Sequence, residues 1–296
     1  MYDAIVIGAG PAGLTSAIYL RRANKNVLVL EKSIAGGQII NTNKIDNYPA
    51  CYNISGYDFA NNLLHQAKDL GAIIKTEEVI KIENGKIKKV ITKKGEYLTK
   101  TVIIATGKSN RKLGIEDNFI GKGVSYCAMC DGAFYKDKIV AVVGGGNSAI
   151  DDALYLADIA KKVYLIHRRD TFTADIKSVE LLKKKNNIKY VLNSNVTKLI
   201  GNDHLESIEV TTKDKELKTF NISGLFIAIG GLPENSIAKY SIRMDSDGYI
   251  KGNNCHTNKR GIFVAGDIRS KETRQLVTAT SDGAEAAIEA IKYLNK

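Results

Sequence analysis

The sequence predicts an α/β protein of two domains built on one plan, the second inserted in the first. Three observations predict it. A strand, glycine loop, helix and strand follow one another between Tyr2 and Lys32, and the same order recurs from Ile139 to Ile166. Each copy then leads through a β-meander into an apolar strand that ends at glycine. The fold class is therefore α/β with two Rossmann-like, dinucleotide-binding three-layer domains, each with a β-meander.

The elements of the first copy follow from local chemistry. Ala4 to Ile7 is an unbroken apolar β run that stops at Gly8-Ala9-Gly10-Pro11-Ala12-Gly13. Leu14, Ala17, Ile18 and Leu20 then keep helical spacing, and Val27 to Leu30 forms a second strand ending at Glu31. Gly8 suits a tight turn, Gly10 lets backbone approach a pyrophosphate, and Gly13 lets helix and strand pack closely. The helix start offers free N–H groups and a positive dipole end, and Glu31 stands where a carboxylate accepts from ribose hydroxyls. A meander follows over 79–100, with turns at Asn84-Gly85 and Lys94-Gly95, and then the strand Val102 to Gly107.

The second copy begins at Ile139, with Gly144, Gly146 and Ala149 in the loop and Ile150, Ala153, Leu154, Leu156 and Ala157 along the helix. Its second strand, Val163 to Ile166, ends at His167-Arg168-Arg169. The separation of Gly8 from Glu31 is 23 positions, and so is that of Gly144 from His167. The registers match but the end groups differ: a carboxylate repels a 2′-phosphate, whereas paired guanidiniums bind one. The first unit thus suits FAD or NAD and the second NADP, unless Arg168 and Arg169 are only a solvated strand end. A second meander over 196–222 turns near Gly201-Asn202-Asp203 and leads to Leu225–Gly230. The last strand, Gly261 to Asp267, and a helix through Tyr293 have no third unit to join and are expected to return to the first domain. The expected division is 1–110 plus 233–296 and 111–232, with hinges at Lys108-Ser109-Asn110 and Gly231-Leu232-Pro233.

The composition agrees with this reading. A chain of 296 residues that is 44% hydrophobic and 25% charged buries a sizeable core, which excludes disorder, collagen-like repetition and a disulfide-stapled miniprotein. The net charge of +11 raises nucleic acid as a partner, but Lys is spread along the chain, and Lys183-Lys184-Lys185 has no interleaved aromatics. A solvated helix face is the simpler reading, and no nucleic-acid partner is expected. The apolar run after Met1 is far shorter than the ~20 residues that cross a bilayer. A soluble, cytoplasmic chain without a signal peptide or membrane partner is expected.

Four cysteines in so long a chain do not make a disulfide framework. Cys127 and Cys130 form a close pair within Ser125-Tyr126-Cys127-Ala128-Met129-Cys130-Asp131-Gly132, which suits a redox-active disulfide. Zinc is the rival use, but Cys51, Cys255 and His256 supply no second close-spaced pair, so no metal is expected.

At this point the sequence resembles the low-molecular-weight, bacterial-type thioredoxin reductases over essentially its whole length. The resemblance rests on the Gly8–Gly13 loop, Gly36-Gly37-Gln38, Asn47-Tyr48-Pro49, Ala105-Thr106-Gly107 and Cys127-Ala128-Met129-Cys130-Asp131-Gly132. It continues in Gly144-Gly145-Gly146-Asn147-Ser148-Ala149, His167-Arg168-Arg169-Asp170, Gly266-Asp267 and Arg274-Gln275-Leu276. It implies FAD in the first domain, NADPH in the second, a homodimer, and a second domain that rotates between two positions. It assigns Gly8, Gly10, Pro11, Ala12, Gly13, Glu31, Gly37, Gln38, Asn47, Gly107, Asp267, Arg274, Gln275 and Leu276 to FAD. Gly144, Gly146, Asn147, Ser148, Ala149, His167, Arg168 and Arg169 are assigned to NADPH. Cys130 becomes the thiol nearest the flavin, Cys127 the one that attacks thioredoxin, and Asp131 the acid that protonates a leaving thiolate. For Asp131, capping a helix remains the alternative. The implied relay runs from NADPH through FAD to the Cys127–Cys130 disulfide and on to thioredoxin.

Two departures qualify that assignment. The run His167-Arg168-Arg169-Asp170-Thr171-Phe172-Thr173 has Thr173 where NADPH-using relatives usually carry a third arginine. One guanidinium fewer at the phosphate costs about 1–3 kcal/mol, so NADPH is the expected donor and NADH or reduced ferredoxin the alternative. The second is Asp151-Asp152 in place of the usual Glu-Glu. A thioredoxin-reductase-like ferredoxin–NADP reductase is the alternative within the fold, against which the cysteine pair argues. A flavin sensor without catalysis is the alternative outside it.

Overall fold

The computed structural model describes every residue except Asn43, Asp46, Lys239 and Tyr240. The chain divides into two compact units, Met1–Ser109 with Pro233–Lys296, and Asn110–Leu232.

The first unit opens with β1 (Tyr2–Ile7), α1 (Pro11–Arg22) and β2 (Val27–Glu31), followed by α2 (Gly56–Asp69), β3 (Ile73–Thr76), β4 (Val79–Glu83), β5 (Lys88–Thr92) and β6 (Glu96–Ile104). A short strand β7 (Lys108–Asn110) marks the first crossing. The second unit runs β8 (Val124–Ser125), α3 (Ala128–Asp131), β9 (Ile139–Val143), α4 (Asn147–Ala157), β10 (Lys162–Ile166), α5 (Ile176–Lys183) and β11 (Ile188–Val191). It ends with β12 (Ser194–Ile200), β13 (Ser207–Thr212), β14 (Leu217–Asn221) and β15 (Gly224–Ile227). At the return crossing β16 (Gly231–Pro233) pairs with β7, and the chain closes with β17 (Ile262–Val264) and α6 (Leu276–Leu294).

In the first unit the sheet order is β3-β2-β1-β6-β5-β4, with β17 also on β6. Strands β3, β2, β1, β6 and β17 are parallel, and β1 aligns Ile5 with Leu28 on one side and Val102 on the other. A strand buried on both faces must be apolar throughout, and Ala4, Ile5 and Val6 are fully buried. The second unit repeats the parallel core as β11-β10-β9-β15-β8, and its meander is a separate antiparallel sheet, β12-β13-β14.

The two halves differ at one point where the sequence pattern made them alike. In the first unit the meander is not a separate layer. Residues Glu96–Thr99 of β6 pair with β5, and Thr101–Ile104 of the same strand pair with β1, so meander and parallel sheet share a strand. In the second unit the chain breaks at Ile222-Ser223 between β14 and β15, which frees the meander to form its own sheet.

Two glycines set the first loop. Gly8 has φ +103°, and a Cβ there would lie 2.3 Å from the carbonyl oxygen of Ala105. A Cβ on Gly13 would lie 1.9 Å from the carbonyl oxygen of Gly8, so helix α1 sits directly on the turn that precedes it. The helix packs as closely on α6, where the Ser16 hydroxyl donates to the carbonyl of Gly283 at 2.9 Å. A Cβ on Gly283 would stand 2.3 Å from the Ala12 oxygen. Gly283→Ala is thus expected to force the helices apart at a cost of about 1–3 kcal/mol. Thermal unfolding checks this, and an unchanged melting temperature would contradict it.

Candidate active site

In the first unit, β1 delivers the chain to Gly8, whose N–H donates to the carbonyl of Leu30 at 2.8 Å. Gly10 is the N-cap of α1 and makes no side-chain cap, and Pro11 takes the first helical position. The start of α1 is left without an internal capping group, as an anion-binding helix end requires. Glu31, at the end of β2, accepts from the Ala9 N–H at 2.8 Å and the Ser33 N–H at 3.0 Å. Its carboxylate is thereby fixed beside the loop. Gly37 approaches the same loop, since a Cβ on it would lie 3.0 Å from the Gly10 Cα. Ala12 packs against the turn at Gly266, where a Cβ would meet its own Cβ at 2.8 Å.

That contact brings in Asp267 from the far end of the chain. Its Oδ1 is buried and has no hydrogen-bond partner among the described residues. Burial pushes its carboxyl above the ordinary range, against the pull of Lys108, Lys271 and Arg274. Arg274 donates from Nε to the Asp267 carbonyl at 3.3 Å and stacks its guanidinium over the Tyr249 ring at 3.9 Å. Gln275 caps α6 through a reciprocal box with Thr278 and accepts from Asn47 Nδ2 at 3.2 Å, with Leu276 the first residue of the helix. Gln38 lies on the short turn that starts at Gly37. Gly107, at φ +70°, follows β6 and accepts from the Glu234 N–H. The sequence did not point to Tyr249 or to Asp282. Asp282 is a buried carboxylate on α6 that accepts from the Gly266 N–H at 3.0 Å and pairs with Lys271 at 2.8 Å. It holds the turn that carries Asp267.

The second unit repeats the loop atom for atom at its start: the Gly144 N–H donates to the carbonyl of Ile166 at 3.0 Å. Gly146 is the uncapped N-cap of α4, with Asn147 and Ser148 opening the helix and Ala149 beneath Gly144. Asn147 exchanges two hydrogen bonds with Asp175, at 2.9 and 2.8 Å. The His167 ring lies where a Gly145 side chain would be, and its Nε2 is buried without a partner among the described residues. Burial holds its pKa below the usual value, with Arg169 and Arg168 pushing the same way. Both arginines are exposed, and neither has a carboxylate partner among the described residues. Thr173 has a task of its own: its N–H and hydroxyl donate to the Gly145 carbonyl at 2.7 and 3.2 Å, tying this loop to the glycine loop.

The cysteine pair of the same unit is a closed disulfide, with the Cα atoms 5.3 Å apart. Cys127 is the N-cap of α3, and its carbonyl accepts from the N–H groups of Cys130 and Asp131. Both cysteines are half-buried and Met129 between them is exposed. Asp131 does not cap the turn that follows it. Its carboxylate instead accepts from the Ser125 hydroxyl at 2.6 Å. Burial raises the Asp131 pKa, and the Ser125 hydrogen bond opposes that. The other two cysteines are free, Cys51 half-buried and Cys255 buried. Cys255 lies with Asp282 and Glu285, a set of metal-type donors, but Arg269 Nη1 stands 3.4 Å from its sulfur. A guanidinium supplies the positive charge there. No helix among the described residues is long and apolar enough to cross a membrane.

Two dinucleotide-type glycine loops in a chain with a closed Cys-x-x-Cys pair define a class: disulfide oxidoreductases that draw on nucleotide cofactors. The family model of pyridine nucleotide-disulphide oxidoreductases matches residues 2–283. A thioredoxin reductase of Mycoplasma genitalium is 44% identical over 295 residues, 97% of this chain and 94% of the relative. One from Listeria innocua is 39% identical over 302 residues, 100% and 95% of the two chains. The crystal structure of thioredoxin reductase from Streptococcus pyogenes matches with a TM-score of 0.96 at 38% identity, covering 100% of this chain and 98% of that one. The chain belongs to the pyridine nucleotide-disulphide oxidoreductase family and, within it, to the thioredoxin reductases. Membership implies a flavin and a nicotinamide cofactor.

Proposed function

We propose that the chain reduces the disulfide of a thioredoxin, taking electrons from NADPH by way of FAD and the Cys127–Cys130 pair. The closed disulfide, in a chain with two glycine loops whose strand ends carry opposite charge, carries this reading. Residues 1–110 with 233–296 form the FAD-binding domain, and 111–232 the NAD(P)H-binding domain that bears the redox pair. FAD fits the first unit because its ribityl hydroxyls would supply the donor that the buried Asp267 Oδ1 lacks among the described residues. Its pyrophosphate would suit the uncapped start of α1, and Glu31, already fixed beside the loop by the Ala9 N–H, would accept from its ribose. The residues for NADPH are Gly144, Gly146, Asn147, Ser148, Ala149 and His167, with Arg168 and Arg169 on the 2′-phosphate. When bound, these groups supply hydride transfer.

The protein's own steps are thiol chemistry. In the dithiol state the Cys127 thiolate attacks a thioredoxin sulfur, and the other thioredoxin sulfur leaves as a thiolate that Asp131 protonates. Cys130 then gives its proton to the Asp131 carboxylate and attacks Cys127 in the mixed disulfide, releasing the second thioredoxin sulfur as a thiolate that takes a proton from water and restoring the Cys127–Cys130 bond. Two electrons leave the pair and reduce one disulfide. The motif must meet flavin in one step and a protein in another, which assigns hinge motion to the segments at Lys108-Ser109-Asn110 and Gly231-Leu232-Pro233. A homodimer and a cytoplasmic location belong to the same reading, open to light scattering and cell fractionation.

The donor is tested by anaerobic mixing of the purified protein with NADPH, NADH and reduced ferredoxin in turn, following the flavin absorbance. Bleaching is expected at micromolar NADPH and only at much higher NADH. No bleaching by NADPH would reject Arg168 and Arg169 as the 2′-phosphate site and favour ferredoxin.

A further inference from the structure

The strand that delivers the cysteine pair is pinned on both faces, and one of the two pins reaches the redox motif itself. Strand β8 pairs Val124 with Leu225 and Ser125 with Phe226. Beyond it, Tyr126 donates to the fully buried Glu116 at 2.8 Å, and Glu116 also accepts from the N–H groups of Leu113 and Ile115. Ser125 faces the motif and is only 5% exposed. Its Oγ donates to Asp131 Oδ2 at 2.6 Å and accepts from the Cys127 N–H at 3.1 Å.

We propose that Ser125 is a positioning residue of the thiol–disulfide reaction, its hydroxyl locking the Asp131 carboxylate and the Cys127 amide to one anchor. The proposal rests on the reading of Asp131 as the acid. A hydroxyl has one proton to give and lone pairs to receive, so a single Oγ serves both neighbours at once. The anchor is buried and hydrogen-bonded on a paired strand, which fixes a group better than a loop does. Without it, Asp131 has no other hydrogen-bonding side chain among the described residues, and no cation pairs with it. The titratable groups around it are few. Tyr135 on the next turn feels its charge and, mainly through burial, is pushed up to about 12. Helix α4 carries Asp151, Asp152 and Tyr155, of which Tyr155 meets Gly132. The disulfide itself does not titrate.

The sign of the effect follows. Burial raises the Asp131 pKa and the Ser125 donor, by stabilising the carboxylate, holds it back. Removing the hydroxyl raises it further. An acid with a raised pKa stays protonated to higher pH, so the alkaline limb of the rate profile moves up while the plateau falls through lost positioning.

The test uses the flavin-loaded protein as wild type, Ser125→Ala and Ser125→Thr, with the Asp131 carboxyl followed by carbon NMR in the oxidised state and kcat followed against pH. Ser125→Ala is expected to raise the Asp131 midpoint and the alkaline limb by about one pH unit, the size of one hydrogen bond to a charged group. Its plateau is expected to fall about tenfold. Ser125→Thr, which keeps the hydroxyl, is expected to retain the wild-type midpoint. An unmoved midpoint in Ser125→Ala, whatever the fall in rate, would overturn the proposal, and so would a shift as large in Ser125→Thr. If Ser125→Ala does not fold, Ser125→Cys, a weaker donor of similar size, replaces it with the same expected direction. Asp131→Asn separates the two readings: full activity in that variant removes Asp131 as the acid, whereas the NMR midpoint tests the Ser125 anchor by itself.

Discussion

Serine in place of Cys130 is expected to leave a folded, yellow protein whose steady-state reduction of thioredoxin is at least about a thousandfold slower than wild type. The reason is electron counting. One sulfur cannot store the two electrons that reduce a disulfide, and the closed Cys127–Cys130 bond is the only disulfide among the described residues. Cys255 does not substitute, since it is buried and burial pushes its thiol up to about 12, far from a thiolate at neutral pH. The variant also separates the roles of the pair. If Cys127 is the attacking sulfur, Cys130→Ser traps a mixed disulfide with thioredoxin that a non-reducing gel resolves, and Cys127→Ser does not. Trapping by Cys127→Ser alone would exchange the two roles, and a wild-type rate in Cys130→Ser would end the dithiol mechanism.

The parts of this architecture that were legible in the sequence are those where backbone geometry restricts the residue. Gly8 and Gly144 both need positive φ, and both turns close with the same hydrogen bond, to Leu30 and to Ile166. The pattern of apolar residues gave both parallel cores because a strand covered on two faces has no polar alternate positions. The junction of meander and sheet was less legible, although the signal was present: Glu96 to Ile104 contains no glycine or proline, whereas Ser223-Gly224 interrupts the second copy. Ser125 with Asp131, Tyr249 with Arg274 and Asp282 with Gly266 are different in kind. Their partners are brought together by how the chain turns between them, from 6 to 25 positions apart, and no periodicity encodes that. Thr173 shows the limit of reading a position by what it lacks. Seen as a missing arginine it is a loss, yet it holds the arginine-bearing loop to Gly145.

That contact bears on the second large effect. Replacing Arg168 and Arg169 together by alanine is expected to raise KM for NADPH about a hundredfold, leave KM for NADH within about twofold, and change kcat little. Each guanidinium is exposed and lacks a carboxylate partner among the described residues, so its removal frees no buried charge and disturbs no packing. The loss therefore falls on the ligand alone. A 2′-phosphate interacts equally in the ground and transition states, since it is remote from the nicotinamide, and uniform binding appears in KM rather than kcat. The preference should also weaken with salt, because exposed pairs are screened. An NADPH KM that stays unchanged in the double variant would move the 2′-phosphate elsewhere. Thr173→Arg provides the converse measurement. Its backbone N–H keeps the 2.7 Å bond to Gly145 while the side chain adds a third cation, so KM for NADPH is expected to fall. If it rises instead, the hydroxyl bond to Gly145 matters more for the shape of the loop than another charge does for the phosphate.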